Sequence, residues 1–277
     1  MGQVLQTCNS FTSAEKCGII ASEEVVNMSQ KTKKKRTKLE KTGMFVFYSM
    51  LIPIGFLIFK IIQIDAGYTD PLTHRSRGDY LLMIVQCVLG MIALWLPGLI
   101  QERKKLEIPN KMYYLYLIFL YCAICLGEIR GFYYKIPNWD TILHTFSGGM
   151  LGALGFSFIS LLNNEENFHL KLTPFFVALF SFMFAIMLGV LWEVYEFSFD
   201  GLLGLNMQKF MLESGEQLIG RAALADTMED LIVDMGGALV MSVIGYISLK
   251  YKKGWIESMI IKVKRTVVKD IDKAGDK

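Results

Sequence analysis

Three short clusters of ionisable residues stand at the edges of long apolar runs. They are Asp140 and His144 in WDTILH, Glu193 and Glu196 in WEVYE, and Asp226, Asp230 and Asp234 in DTMEDLIVD. Carboxylates and an imidazole are the groups of acid–base catalysis and of divalent-cation binding. They are costly to hold at membrane depth, so by default they mark a functional site. The spacings are i,i+4, then i,i+3, then i,i+4,i+8, and on a helix each set falls along one face. All seven residues are therefore candidate catalytic groups. His144, Glu193, Asp230 and Asp234 are the candidate ligands of a divalent cation. Hard carboxylate oxygens favour Mg or Mn, and the imidazole admits Zn. So many carboxylates sharing one buried place cannot all stay ionised. Either a cation binds, or one of the deeper acids, Asp234 first, keeps its proton.

Each of these residues also has a structural reading. Asp140 and Asp226 suit helix N-caps, and Asp226 with Glu229 has the spacing of a capping box. Glu196 suits a water interface, and His144 suits a satisfied buried histidine. Ser147, one turn from His144, reads as a packing residue, so no nucleophile stands out. The paired ExxH pattern of di-iron bundles is absent. Arg130 is the expected counter-charge to the acids.

The elements that must position these groups are membrane helices. Hydrophobic residues make up 53% of the 277-residue chain and charged residues 20%, and the mean hydropathy is +0.38. This composition, with apolar runs of near-bilayer length, excludes an ordinary soluble domain. Six spans are expected, at residues 43–64, 80–100, 112–129, 140–162, 174–199 and 226–249, giving an all-α polytopic fold. Residues 1–42 read as a disordered, basic cytoplasmic N-terminal segment, with Met28 a second candidate start. Residues 43–249 form the transmembrane domain, and 250–277 a basic cytoplasmic tail with an amphipathic surface helix near 255–268. A short surface helix is also expected within 200–225. Cys87, Cys122 and Cys125 fall within apolar runs and read as small hydrophobes. Small residues at Gly148, Gly152, Gly189, Gly236 and Gly237 suit close packing of the last three spans.

Six spans put both termini on one side of the membrane. Lys and Arg in the flanks on that side number eighteen, against six on the other. The positive-inside rule makes the richer side cytoplasmic. Asp140 and Asp226 then open their spans from outside, Glu193 and Glu196 close theirs there, and the acids share the outer leaflet. The run KTKKKR marks a cytoplasmic flank and not a nucleic-acid site. The expected partners are membrane lipids.

The series WDxxxH, GxxWExxE and DTMxDxxxDxxGA resembles the uncharacterised membrane proteins called YjdF-like, over roughly residues 45–250. More loosely, the order of acids is similar to the VanZ-like family. The chain departs from that family in having Glu193 and Glu196 in place of its E..Q and following Arg. The YjdF-like resemblance implies a polytopic bacterial plasma-membrane protein and brings no established activity. The residues leave three functions open: an enzyme acting on an envelope lipid or its head group, a proton- or cation-coupled transporter, or a non-catalytic accessory protein.

Overall fold

The structure, a computed structural model, describes residues 37–64, 70, 75–163, 171–212 and 216–264. Of the disorder expected for 1–42, residues 1–36 lie outside the described residues, as do most of the 163–173 loop and the end of the tail, while residues from Lys38 on are helical. The chain divides into two units, Met1–Lys41 and Thr42–Lys277. Of the first, the described part is a capping box: the Thr37 hydroxyl accepts the Glu40 N–H, and the Glu40 carboxylate accepts the Thr37 N–H.

The fold is an all-α polytopic membrane fold. Among the described residues, six helices are long and apolar enough to cross a membrane. They are α1 (Lys38–Gln63), α2 (Arg77–Lys104), α3 (Asn110–Leu120, continuing as a π-helix over Tyr121–Ile129), α5 (Trp139–Asn163), α6 (Pro174–Leu203) and α7 (Arg221–Lys250). The short α4 (Phe132–Lys135) lies between α3 and α5. Each spanning helix runs past its apolar stretch, because a helix ends where capping stops it and not where hydropathy falls. Thus α2 starts at a capping box, with Ser76 and Asp79 bonded reciprocally, and α6 starts after Thr173 with Pro174 in its first turn. α6 closes on Gly204, which is in the left-handed conformation, φ 64°.

Two expectations change here. No helix forms in the described part of 200–225 beyond the end of α6 and the start of α7. That connection folds instead around a Met211–Gln217 bridge. Nor does the segment after α7 form an amphipathic surface helix over its described residues. A 3-10 turn, Glu257–Met259, leads into β2 (Lys262–Val263), which pairs antiparallel with β1 (Leu106–Glu107) after α2. Ile256 and Ile261 turn inward, Ile256 into a buried cluster with Phe156 and Ala178, while Trp255 and Val263 stay exposed.

Helices α5, α6 and α7 form a close-packed core. A Cβ on Gly148 would collide with the Asp234 carbonyl, and one on Gly237 with the Thr145 carbonyl. A Cβ on Gly155 would stand 2.7 Å from Ser181 Cα. Bare backbones are what allow this approach. α1 and α2 instead meet through long side chains, with Leu57, Ile64, Tyr80 and Met83 clustered between them.

Candidate functional site

The close approach that the glycines permit also aligns the acids. On α7 the buried stripe begins with Asp230 and Asp234 and continues through Gly237, Ala238 and Ser242. On α6 it runs from Ser181, Ala185 and Gly189 to Glu193, Glu196 and Asp200. Both stripes carry their acids at one end of the core and their small residues along the rest. α5 begins at that acidic end and carries Asp140 in its first turn.

His144 is the hub. Its Nδ1 lies 3.3 Å from Asp234 Oδ2. Its Nε2 faces Asp140 Oδ1 at 3.6 Å and Asp230 Oδ2 at 3.7 Å. The Ser147 hydroxyl lies 2.8 Å from the other Asp234 oxygen and 2.9 Å from the His144 carbonyl. Asp234 thus stands behind the imidazole, fixes its orientation, and turns Nε2 toward the other two carboxylates. That is the carboxylate–histidine arrangement found behind metal-binding and acid–base imidazoles. Ser147 sits on the Nδ1 side, away from Nε2, so the three residues do not form a nucleophilic triad.

The donor atoms of Asp140, His144 and Asp230 all lie within 4.8 Å of one another. Ligands around an ion with bonds near ~2.1 Å stand about 3–4 Å apart, so this donor set fits a cation after small side-chain movement. Among the expected ligands, His144 and Asp230 belong to this triangle and Asp140 joins them. Asp234 sits one shell back.

Glu193 faces the site from α6, one turn after Gly189, where a Cβ would come 3.0 Å from Asp234 Oδ2. It is 5% exposed, and neither carboxylate oxygen finds a donor among the described residues. Gln208 and Thr227 stand close enough to donate to it, and in this arrangement they bond each other at 2.9 Å instead. Glu196 is buried and accepts from the Trp192 indole at 2.9 Å. The water-interface reading of Glu196 therefore fails. Neither Asp140 nor Asp226 is an N-cap. Asp140 is the second residue of α5, and α7 begins at Arg221, which places Asp226 inside the helix.

Two contributors come from connections that the sequence reading did not single out. Lys209 Nζ bridges Asp140 and, at 3.1 Å, Asp226. Burial alone would lower its pKa, but Asp140 and Asp226 reverse that and hold it above its ordinary 10.5. Lys209 and not Arg130 is therefore the counter-charge. Arg130 forms no ion pair among the described residues, and its carbonyl accepts from Lys135. The Tyr133 ring lies 5.6 Å from Lys209 Nζ and packs into the notch of Gly127. Burial, then the field of Asp140 and Glu128, pushes the Tyr133 phenol well above its usual range, so it stays a neutral donor. The available signal for Lys209 was the surplus of acids itself, which demands a cation from some connection at this end.

The description "Predicted membrane protein (DUF2238)" belongs to a family matching residues 42–251. An uncharacterized protein of Thermotoga maritima is 29% identical over 163 residues, covering 57% of this chain and 76% of its own length. No solved structure matches. The family match is consistent with the YjdF-like resemblance of the three motifs and does not reach the VanZ-like one. All three acidic clusters fall inside the matched range, and on that match the chain belongs to the DUF2238 family of predicted membrane proteins.

Proposed function

We propose that this protein is a plasma-membrane enzyme whose His144 centre holds a divalent cation and acts on the polar head group of an envelope lipid. The observation that carries the reading is the imidazole itself. Asp234, itself anchored by the Ser147 hydroxyl, holds it from behind, and it presents Nε2 to Asp140 and Asp230 with Glu193 buried nearby and without a hydrogen-bond partner among the described residues. The eighteen-to-six charge bias supports cytoplasmic termini, and with them an outer-leaflet position for this end of the core, within reach of lipid head groups. A cation held by Nε2, Asp140 and Asp230 would polarise a phosphoryl or carbonyl oxygen, and a carboxylate outside that triangle, Glu193, would move the proton.

A relay across the membrane fits less well. Beyond Asp234 the described core stripes carry Gly, Ala and Ser, and no buried charged side chain continues toward the other end. The test is metal binding to the detergent-purified protein. Added Mn should raise the melting temperature by mass action on the folded state. His144→Ala and Asp230→Asn should abolish that response. Asp234→Asn, acting through His144, should weaken Mn affinity by about 10–100-fold. If Mn, Mg and Zn all leave the melting temperature of the wild type unchanged, the cation centre does not exist.

A further inference from the structure

The site already has one cationic occupant supplied by its own chain. Lys209 Nζ lies between Asp140 and Asp226, under the Tyr133 ring. The segment that carries it is tied down on both sides. Asp200 accepts the N–H groups of Met207 and Gln208 at 2.8 and 3.0 Å. The Gln208 amide donates to Thr227, and Asn206 bonds Met211 in both directions. Lys209 itself has φ 47°, a left-handed conformation that a residue with a side chain adopts only when its surroundings impose it. The ammonium is thus placed by the fold.

Asp140 is shared between two roles. Its Oδ1 faces His144 Nε2, and its Oδ2 takes Lys209. A cation entering the Asp140–His144–Asp230 triangle would meet a positive charge one carboxylate away and would draw on the same Asp140. Acids alone would not make that triangle a cation site. The independent sign is Glu193 on α6, 5% exposed and without a hydrogen-bond partner among the described residues. It lies on the acid-bearing face of that helix, one turn from the Gly189 contact with Asp234, and close enough to His144 to interact with it electrostatically.

We infer that Lys209 is a tethered competitor of the divalent cation, so that the connection between α6 and α7 sets how readily the centre fills. This rests on the cation reading above and adds its regulation. Binding and Lys209 placement are then linked reciprocally: each weakens the other by the same factor.

The experiment uses the full chain in detergent with Mn as the probe. Lys209→Met should bind Mn more tightly than wild type by about tenfold or more, within the usual 5–150-fold range of such couplings. Lys209→Arg, which keeps the charge, should stay near wild type. In the wild type, saturating Mn should expose the Lys209 amine to acetylating reagent, read by mass spectrometry, with Lys135 as the internal control. This second measurement decides the matter if Lys209→Met does not fold. Unchanged or weaker Mn binding by folded Lys209→Met overturns the competitor and leaves the cation reading standing. Protection of Lys209 by Mn does the same. Absence of Mn binding by both wild type and Lys209→Met overturns both.

Discussion

The two ends of the α5–α6–α7 core are built from the same helices, both at close spacing, and differ in how completely they pair their buried polar groups. At the end that meets the segment after α7, the serines are paired. Ser157 Oγ accepts the Ile261 N–H at 3.1 Å and lies 3.2 Å from the Ala153 carbonyl. Ser248 Oγ accepts the Ile256 N–H at 3.3 Å, and Ser181 donates to the Val177 carbonyl at 2.8 Å. At the acidic end, both Glu193 oxygens, Asp226 Oδ2 and Trp139 Nε1 are buried without a partner among the described residues. Ser242 Oγ, between the ends, is the only other such atom described. A paired buried group fixes a structure. An unpaired one costs free energy and persists where something other than stability uses it. That asymmetry is the physical argument for placing function at the acidic end and architecture at the serine end.

The largest expected effect breaks both ends together, since they share one scaffold. Gly148→Leu forces a side chain into the Asp234 backbone and should cost about 3 kcal/mol or more, read as a large drop in melting temperature. Gly236, whose Cβ would meet nothing within 4 Å, is the control. Gly236→Ala should be neutral or gain about 0.5–1 kcal/mol. Equal melting of Gly148→Leu and wild type would refute the shared scaffold.

A smaller effect separates the ends. Ser157→Ala leaves the buried Ile261 N–H unpaired and should cost about 1–3 kcal/mol, with faster hydrogen exchange at Ile261. Glu193→Gln keeps the shape while removing a buried, unpaired carboxylate. It should leave stability unchanged or higher and weaken the response to Mn, the trade expected where a site is maintained against stability. If Glu193→Gln destabilises as much as Ser157→Ala, the two ends are alike and the comparison fails.

The smallest effect is the alkaline limit. The pKa of Lys209 is raised in the folded state, so its contribution is fully present below its ordinary 10.5 and is lost as pH rises through the folded value. Melting temperature should show no Lys209-linked change from pH 7 to about 10 and should fall above it. The fall should be shallower in Lys209→Met.

How much of this was legible follows from what kind of signal each residue carries. The six spans were readable because an apolar run of bilayer length rarely occurs outside a membrane helix. Their ends were not, since caps such as Ser76 and Thr173 lie outside the apolar stretches. The spacings of Asp140/His144 and Asp230/Asp234 were readable because helical periodicity is local. Which face of His144 each acid would meet was not, because Asp234 reaches Nδ1 only through the Gly148 and Gly189 approaches between helices. Lys209 and Tyr133 lie in connections, where neither periodicity nor hydropathy distinguishes one residue from the next. The charge excess called for a cation at that end but could not choose between Arg130 and Lys209. The segment after α7 was misread because its Ile256 and Ile261 match an amphipathic helix as well as they match a buried turn.

That segment also bears on the order in which the molecule is made. Leu106 pairs with Val263 and Glu107 with Lys262, and the Lys264 N–H donates to the Lys105 carbonyl at 2.7 Å. One strand follows the second span and the other follows the sixth, so the contact has a very long loop to close and forms late. β2 is made after all seven helices, so it can meet β1, and Ile261 can reach Ser157 in the last third of α5, only once α7 has been synthesised. The pairing is therefore a contact that only a chain carrying the sixth span can make. A chain stalled in synthesis before that point leaves the Leu106–Glu107 edge without its β2 partner and the Ser157 hydroxyl without the Ile261 N–H.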